Sequence, residues 1–145
     1  MTLDRSFVQL NRAGTERLRD LAKRLTEKDL KHSLFEGWTV SAGLAHLALW
    51  DRRILYALDL TEREGKFVNP EIEFYVNDIV LPLLLAIPSA AAARISVQTA
   101  EAVDKRLEGF REDWLEQMLA ANKRMVFRYM HRNEHLDDIE KALKS

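Results

Sequence analysis

Cysteine is absent from the 145 residues, which removes disulfides, thiolate metal ligands and cysteine nucleophiles and fits a reducing compartment. Any metal must be held by nitrogen and oxygen donors. Glycine (5) and proline (3) are scarce, too few turn formers for a sandwich or barrel of many short strands. Helices are therefore expected. No charge of one sign dominates, since 22 Lys and Arg face 23 Asp and Glu for a formal net charge of -1. No global field recommends a nucleic acid or an anionic membrane as partner. Long hydrophobic runs are missing as well: Ile79 to Ile87 is about half of the ~20 residues that a membrane span needs, and Pro82 interrupts it. The opening MTLDRSFVQLNRAG carries an acid early and has no apolar core of signal-peptide length. The expectation is a soluble, cytoplasmic protein.

What is present is a foldable composition, 47% hydrophobic and 31% charged, at a length that suits one domain over residues 1–145. Leu3, Phe7, Leu10, Ala13, Leu18, Leu21, Ala22 and Leu25 recur mostly at spacings of three and four, which predicts an amphipathic helix. Gly14 lies inside it and either weakens it or marks the close packing of a neighbour. Thr26 and Asp29 form a capping pattern, and Lys31 to Gly37 reads as a connection. Thr39 is the expected N-cap of a second helix from about Val40 to Leu60. Its buried face carries Val40, Leu44, Leu47, Ile54, Leu55 and Leu58, while Asp51, Arg52, Arg53 and Asp59 mark where it turns outward. Thr61 to Pro70 reads as a loop, and the residues before Pro82 suit either a short helix or an extended piece that Pro82 ends or kinks. Tyr75 to Ile87 is a candidate lid or dimer surface.

Pro88 and Ser89 open a third helix, with Ile95, Ala102, Val103 and Leu107 inward and Gly109 at its end. The remainder contains no Gly or Pro after Arg111, so it runs as one long helix or breaks near Ala121 and Asn122. Four helices with a long second connection predict an all-α four-helix bundle, an architecture that builds metal sites from side chains on facing helices.

The candidate chemistry is imidazole. His131 and His135 are four apart, so on a helix they stand one above the other and can grip one ion. Two ligands are too few for a catalytic zinc-type site. His46 lies in the most apolar helical stretch and is the candidate third ligand, beside the alternative of a core histidine bonded to a carbonyl. His32 sits next to Lys31 in a connection and is left out as a solvated side chain. The pair His131 and His135 also has a bland alternative, two surface histidines at the margin of the Met118, Met125 and Tyr129 stripe.

The stretches Gly37-Trp38-Thr39-Val40, Ala45-His46-Leu47-Ala48-Leu49-Trp50-Asp51 and Met130-His131-Arg132-Asn133-Glu134-His135-Leu136 together resemble the DinB-like superfamily. That resemblance implies an up-down-down-up four-helix bundle with a long connection between its second and third helices. It also implies a divalent metal, zinc or nickel, on His46, His131 and His135, and frequent homodimers. Several members of that superfamily are thiol-dependent transferases or isomerases. The resemblance therefore implies a metal-dependent enzyme acting on a small molecule with a low-molecular-weight thiol, or a hydrolase; a non-enzymatic binding or dimerisation module is the alternative. No catalytic residue is carried over.

Three neutral imidazoles would leave the ion's charge uncompensated, which suits activation of water or a thiol. Glu134 and Asp138 are near enough in sequence to accept the second N–H of a ligand imidazole. Arg128, one turn before His131, is the candidate for holding an anionic substrate group, and Trp50 for walling the same pocket, beside the alternatives of a surface arginine with its stem packed down and an ordinary core tryptophan.

Overall fold

The computed structural model describes residues 3–144, and 76% of these residues are helical. In order it forms α1 (Phe7–Arg24), α2 (Glu27–Lys31), β1 (Ser33–Phe35), β2 (Trp38–Thr39), α3 (Val40–Glu64), α4 (Val76–Ala86), α5 (Ser89–Glu108), α6 (Glu112–Ala121), a 3-10 turn (Lys123–Met125) and α7 (Tyr129–Lys144). Helix α3 packs on α5, α5 on α1, α1 on α7, and α7 back on α3. These four long helices close a ring around the core, the all-α helical bundle that composition and periodicity predict.

Local chemistry sets most boundaries. Thr26 and Asp29 form a reciprocal capping box at α2. The Thr39 side chain accepts from the Ala42 amide, 3.0 Å away, and starts α3. That helix overruns its expected end and stops at Gly65, whose φ of 69° is a left-handed conformation that costs glycine nothing. Between α2 and α3, where a plain connection is expected, the chain makes an antiparallel pair, Ser33 opposite Thr39 and Phe35 opposite Trp38.

The stretch around Pro82 resolves to helix: α4 runs straight through the proline. Asp78 and Pro82 are both exposed, so the carbonyl that loses its amide donor lies on the solvated side. The last segment takes the broken alternative. It parts at Ala121 and Asn122, and the Asn122 side chain accepts from the Arg124 amide at 2.9 Å. Met118 and Met125 therefore sit on different elements from Tyr129 and share no helical stripe with it.

The inward and outward assignments are corrected at Ala102 and at Asp51. Ala102 is exposed, because the inward face of α5 there is carried by Val103 and Asp104. Asp51, expected outward, is 1% exposed. It is buried because two arginines meet it: Arg128 Nε at 2.9 Å and Arg132 Nη2 at 3.4 Å. Arg132 also donates to Asp104 Oδ1 at 2.8 Å and to Thr15 Oγ1 at 3.0 Å. Two cations and two anions thus balance inside the bundle, the condition under which burying charge is tolerable.

On α1, Leu10 is exposed while Asn11, Gly14 and Thr15 are buried. A Cβ at Gly14 would lie 3.1 Å from Tyr129 Cβ, so the glycine admits α7 to close contact. No helix among the described residues is long and apolar enough to cross a membrane.

Candidate metal centre

Helix α3 carries His46 two turns inside its N-cap, on a face lined with small residues. Ala42 and Ala45 are buried against Leu84 of α4, with Trp38 packed beside them. His46 itself is 7% exposed. Small neighbours leave room for the imidazole to be approached from two sides.

The approach from α7 depends on where that helix begins. Asn11 of α1 donates from Nδ2 to the Val126 carbonyl at 2.8 Å and accepts from the Tyr129 amide at 2.9 Å. One side chain from the far end of the chain thus caps the first turn of α7. With the start fixed and Gly14 against Tyr129, Arg132 turns into the ionic core. His131 and His135, on the adjoining ridge, turn toward α3.

The three rings meet. Ring centroids lie 5.2 Å apart for His46 and His131, 4.7 Å for His46 and His135, and 4.8 Å for His131 and His135. One nitrogen from each lies within 4.8 Å of the others, an arrangement that could hold a metal ion. The Nε2 atoms of His46 and His131 are 3.2 Å apart. Metal–imidazole bonds of about 2.0 to 2.1 Å place two tetrahedral ligand nitrogens roughly 3.3 Å from each other, so this spacing fits. Two facing lone pairs at that distance need a proton or a cation between them. Nδ1 of His46 and Nδ1 of His135 are buried with no hydrogen-bond partner among the described residues.

Electrostatics keep these rings neutral. Burial, reinforced by His135, pushes His46 down to about 4. Burial and then the charge of Arg128 push His131 down to about 2, and burial lowers His135 as well. Neutral imidazole is the form that ligates. Of the two candidate carboxylates, Asp138 is the nearer, its Oδ2 3.8 Å from His135 Nδ1. Glu134 points elsewhere and pairs with Arg124. His32 is exposed, its Nδ1 2.8 Å from the Ser33 carbonyl, away from the cluster.

The histidines open into a cleft of about 750 Å³ that also takes in Trp38, Trp50, Phe74, Arg53, Arg124 and Arg128. Trp50 reaches it as the spacing suggests, and its Nε1 donates to Asn77 Oδ1 of α4 at 2.8 Å. Arg128 lines the cleft but is 5% exposed. Its Nε is spent on Asp51 and its Nη1 on the Arg124 carbonyl at 2.9 Å. Trp38 stands edge-on to His46 at 5.6 Å.

Sequence reasoning passed over Arg53 and Trp38 as site residues. Arg53 was recoverable, because positions 46, 50 and 53 share one helical face. Phe74 and Asn77 arrive from the long connection, and no local spacing announces them.

Residues 11–132 match the family model of the mycothiol maleylpyruvate isomerase N-terminal domain. No curated protein and no solved structure matches the chain.

Proposed function

The chain belongs to the mycothiol maleylpyruvate isomerase N-terminal domain family, within the DinB-like superfamily, and from that premise we propose that it is a divalent-metal-dependent enzyme acting on a small molecule. The convergence of His46, His131 and His135 in one cleft with aromatic walls is the observation that carries this reading. Zinc or nickel suits an all-imidazole donor set in a chain without cysteine.

The three imidazoles would hold the ion through neutral nitrogens. When bound, it supplies Lewis acidity that lowers the pKa of a thiol or water brought to it. The protein's own groups do the rest. Trp38, Trp50 and Phe74 wall the cleft and keep water from a substrate lying between them. Arg128 Nη2 is the donor left over from its bonds to Asp51 and Arg124, and we assign it to an anionic group of the substrate. The family description favours a low-molecular-weight thiol such as mycothiol as co-substrate, in a transfer or isomerisation, over simple hydrolysis.

A homodimer is part of the same proposal. On α4 and the turn before it, Phe74, Tyr75, Ile79 and Leu83 are 82%, 63%, 62% and 68% exposed, an apolar strip that a second copy of the chain would cover. Light scattering of the wild type against Ile79→Lys tests it; a monomeric wild type removes this part.

The decisive experiment for the enzyme is elemental analysis of untagged protein, followed by a thiol-conjugation screen with and without chelator. Stoichiometric metal and chelator-sensitive conjugation are expected. Metal-free protein that stays metal-free after zinc or nickel loading would overturn the proposal.

A further inference from the structure

We propose that Arg53 and Arg128 form a subsite for the anionic end of the ligand, and that the ligand of this cleft is an organic anion, a carboxylate or phosphate ester, with a flat apolar body. This deepens the reading of the cleft as a substrate site and rests on it.

The first observation is charge. Among the described residues, Arg53, Arg124 and Arg128 line the cleft together with the three histidines, and no Asp or Glu does. The whole chain carries a net charge of -1, so a lining of arginines without acids is local to the cleft.

The second is pairing. Inside the bundle, Arg128 and Arg132 are balanced by Asp51 and Asp104. Arg124 is paired with Glu134 on the outer side and is left out of the subsite for that reason. Arg53 has no carboxylate: its Nη2 donates to Asn69 Oδ1 at 2.8 Å and to the Pro70 carbonyl at 2.7 Å. Its Nε is buried without a partner among the described residues. Burial and the neighbouring charge of Arg128 both work against its protonated form. A half-buried guanidinium that lines the same cleft as a second one, with one donor idle, is stabilised by an anion bound in that cleft.

The third is rigidity. Arg53 is tied to the connection before α4, and Arg128 to Asp51 and the Arg124 carbonyl. Little side-chain entropy remains to be lost when an anion arrives. Elsewhere in the wall Phe35, Trp38, Trp50 and Phe74 present aromatic rings, which suit a planar apolar body.

Calorimetric titration at fixed ionic strength with benzoate, phenyl phosphate and the neutral benzamide tests this on both chelator-treated and zinc-loaded protein. The metal-free arm removes direct carboxylate–metal bonding from the comparison. Expected is binding of benzoate or phenyl phosphate roughly tenfold or more tighter than benzamide, the stronger of the two naming the headgroup. Arg53→Gln should lower the affinity for that anion roughly tenfold while benzamide binding and zinc content stay unchanged. Equal binding of all three probes, or an Arg53→Gln protein indistinguishable from wild type, would overturn the subsite. Protein that takes up no zinc yet shows Arg53-dependent anion binding supports the subsite and removes only the metal-centre reading.

Discussion

His46 and His131 are 85 residues apart in sequence, and their Nε2 atoms are 3.2 Å apart in the folded chain. The first is held by a helix whose start Thr39 fixes, and the second by a helix whose start Asn11 fixes. Distance between the rings thus depends on two caps and on the contact of Gly14 with Tyr129.

Removing any one ring should release the ion. His46→Ala, His131→Ala and His135→Ala are each expected to weaken zinc retention by more than the ~10- to 100-fold that loss of a supporting partner costs. Elemental analysis after dialysis against a weak chelator reads this out. Metal content unchanged in all three variants would mean that the ion sits elsewhere.

Acid should destabilise the metal-free protein through these same rings. Their folded-state pKa values are lowered, to about 4 for His46 and about 2 for His131, against an unfolded value of ~6.5. The unfolded chain therefore binds more protons between those values, and stability falls as pH drops. It should be fully present above ~6.5 and lost progressively toward the folded value of about 4 for His46. Urea midpoints at pH 7.5, 6 and 5 measure it, and the slope should flatten in His46→Ala.

Asp51 serves two buried arginines at once. Asp51→Asn leaves Arg128 and Arg132 facing a neutral amide, with Asp104 the remaining carboxylate for Arg132. A loss of roughly 3 to 5 kcal/mol is expected, since breaking a buried pair strands a charge. Equilibrium denaturation giving under about 1 kcal/mol would show the network to be solvated.

Two glycines on core helices should behave oppositely. At Gly14 an alanine Cβ meets Tyr129 Cβ at 3.1 Å and its Cα at 3.4 Å, atoms that move only if α7 moves. Gly14→Ala should cost about 1 kcal/mol or more despite better helix propensity. At Gly43 the obstacle is Leu34 Cδ2 at 2.7 Å, the free end of a side chain lining the cleft. Gly43→Ala should be neutral or stabilising by up to about 1 kcal/mol. Thermal melts of the two variants separate the cases.

Helical periodicity, the Thr39 cap and the i, i+4 histidines were readable from the sequence because each depends on residues within a few positions of one another. The capping box at Thr26 was readable for the same reason. Asp51 was not: a lone acid beside Arg52 and Arg53 looks solvated until Arg128 and Arg132 arrive from 77 and 81 positions away. Asn11 and Thr15 were hidden likewise, since their partners lie on α7 and α5. Arg53 shares the helical face of His46 at a spacing of seven, but an arginine beside Arg52 reads as solvated until the connection before α4 meets it.

By itself, then, the sequence determined an all-helical bundle, its main helices and three imidazoles of the right kind. Whether those rings meet, which arginines are balanced by acids, and which one is left facing the cleft were decided only by tertiary packing. The reason is that helix propensity and capping act over one or two turns. Burial of charge depends instead on groups brought together from opposite ends of the chain.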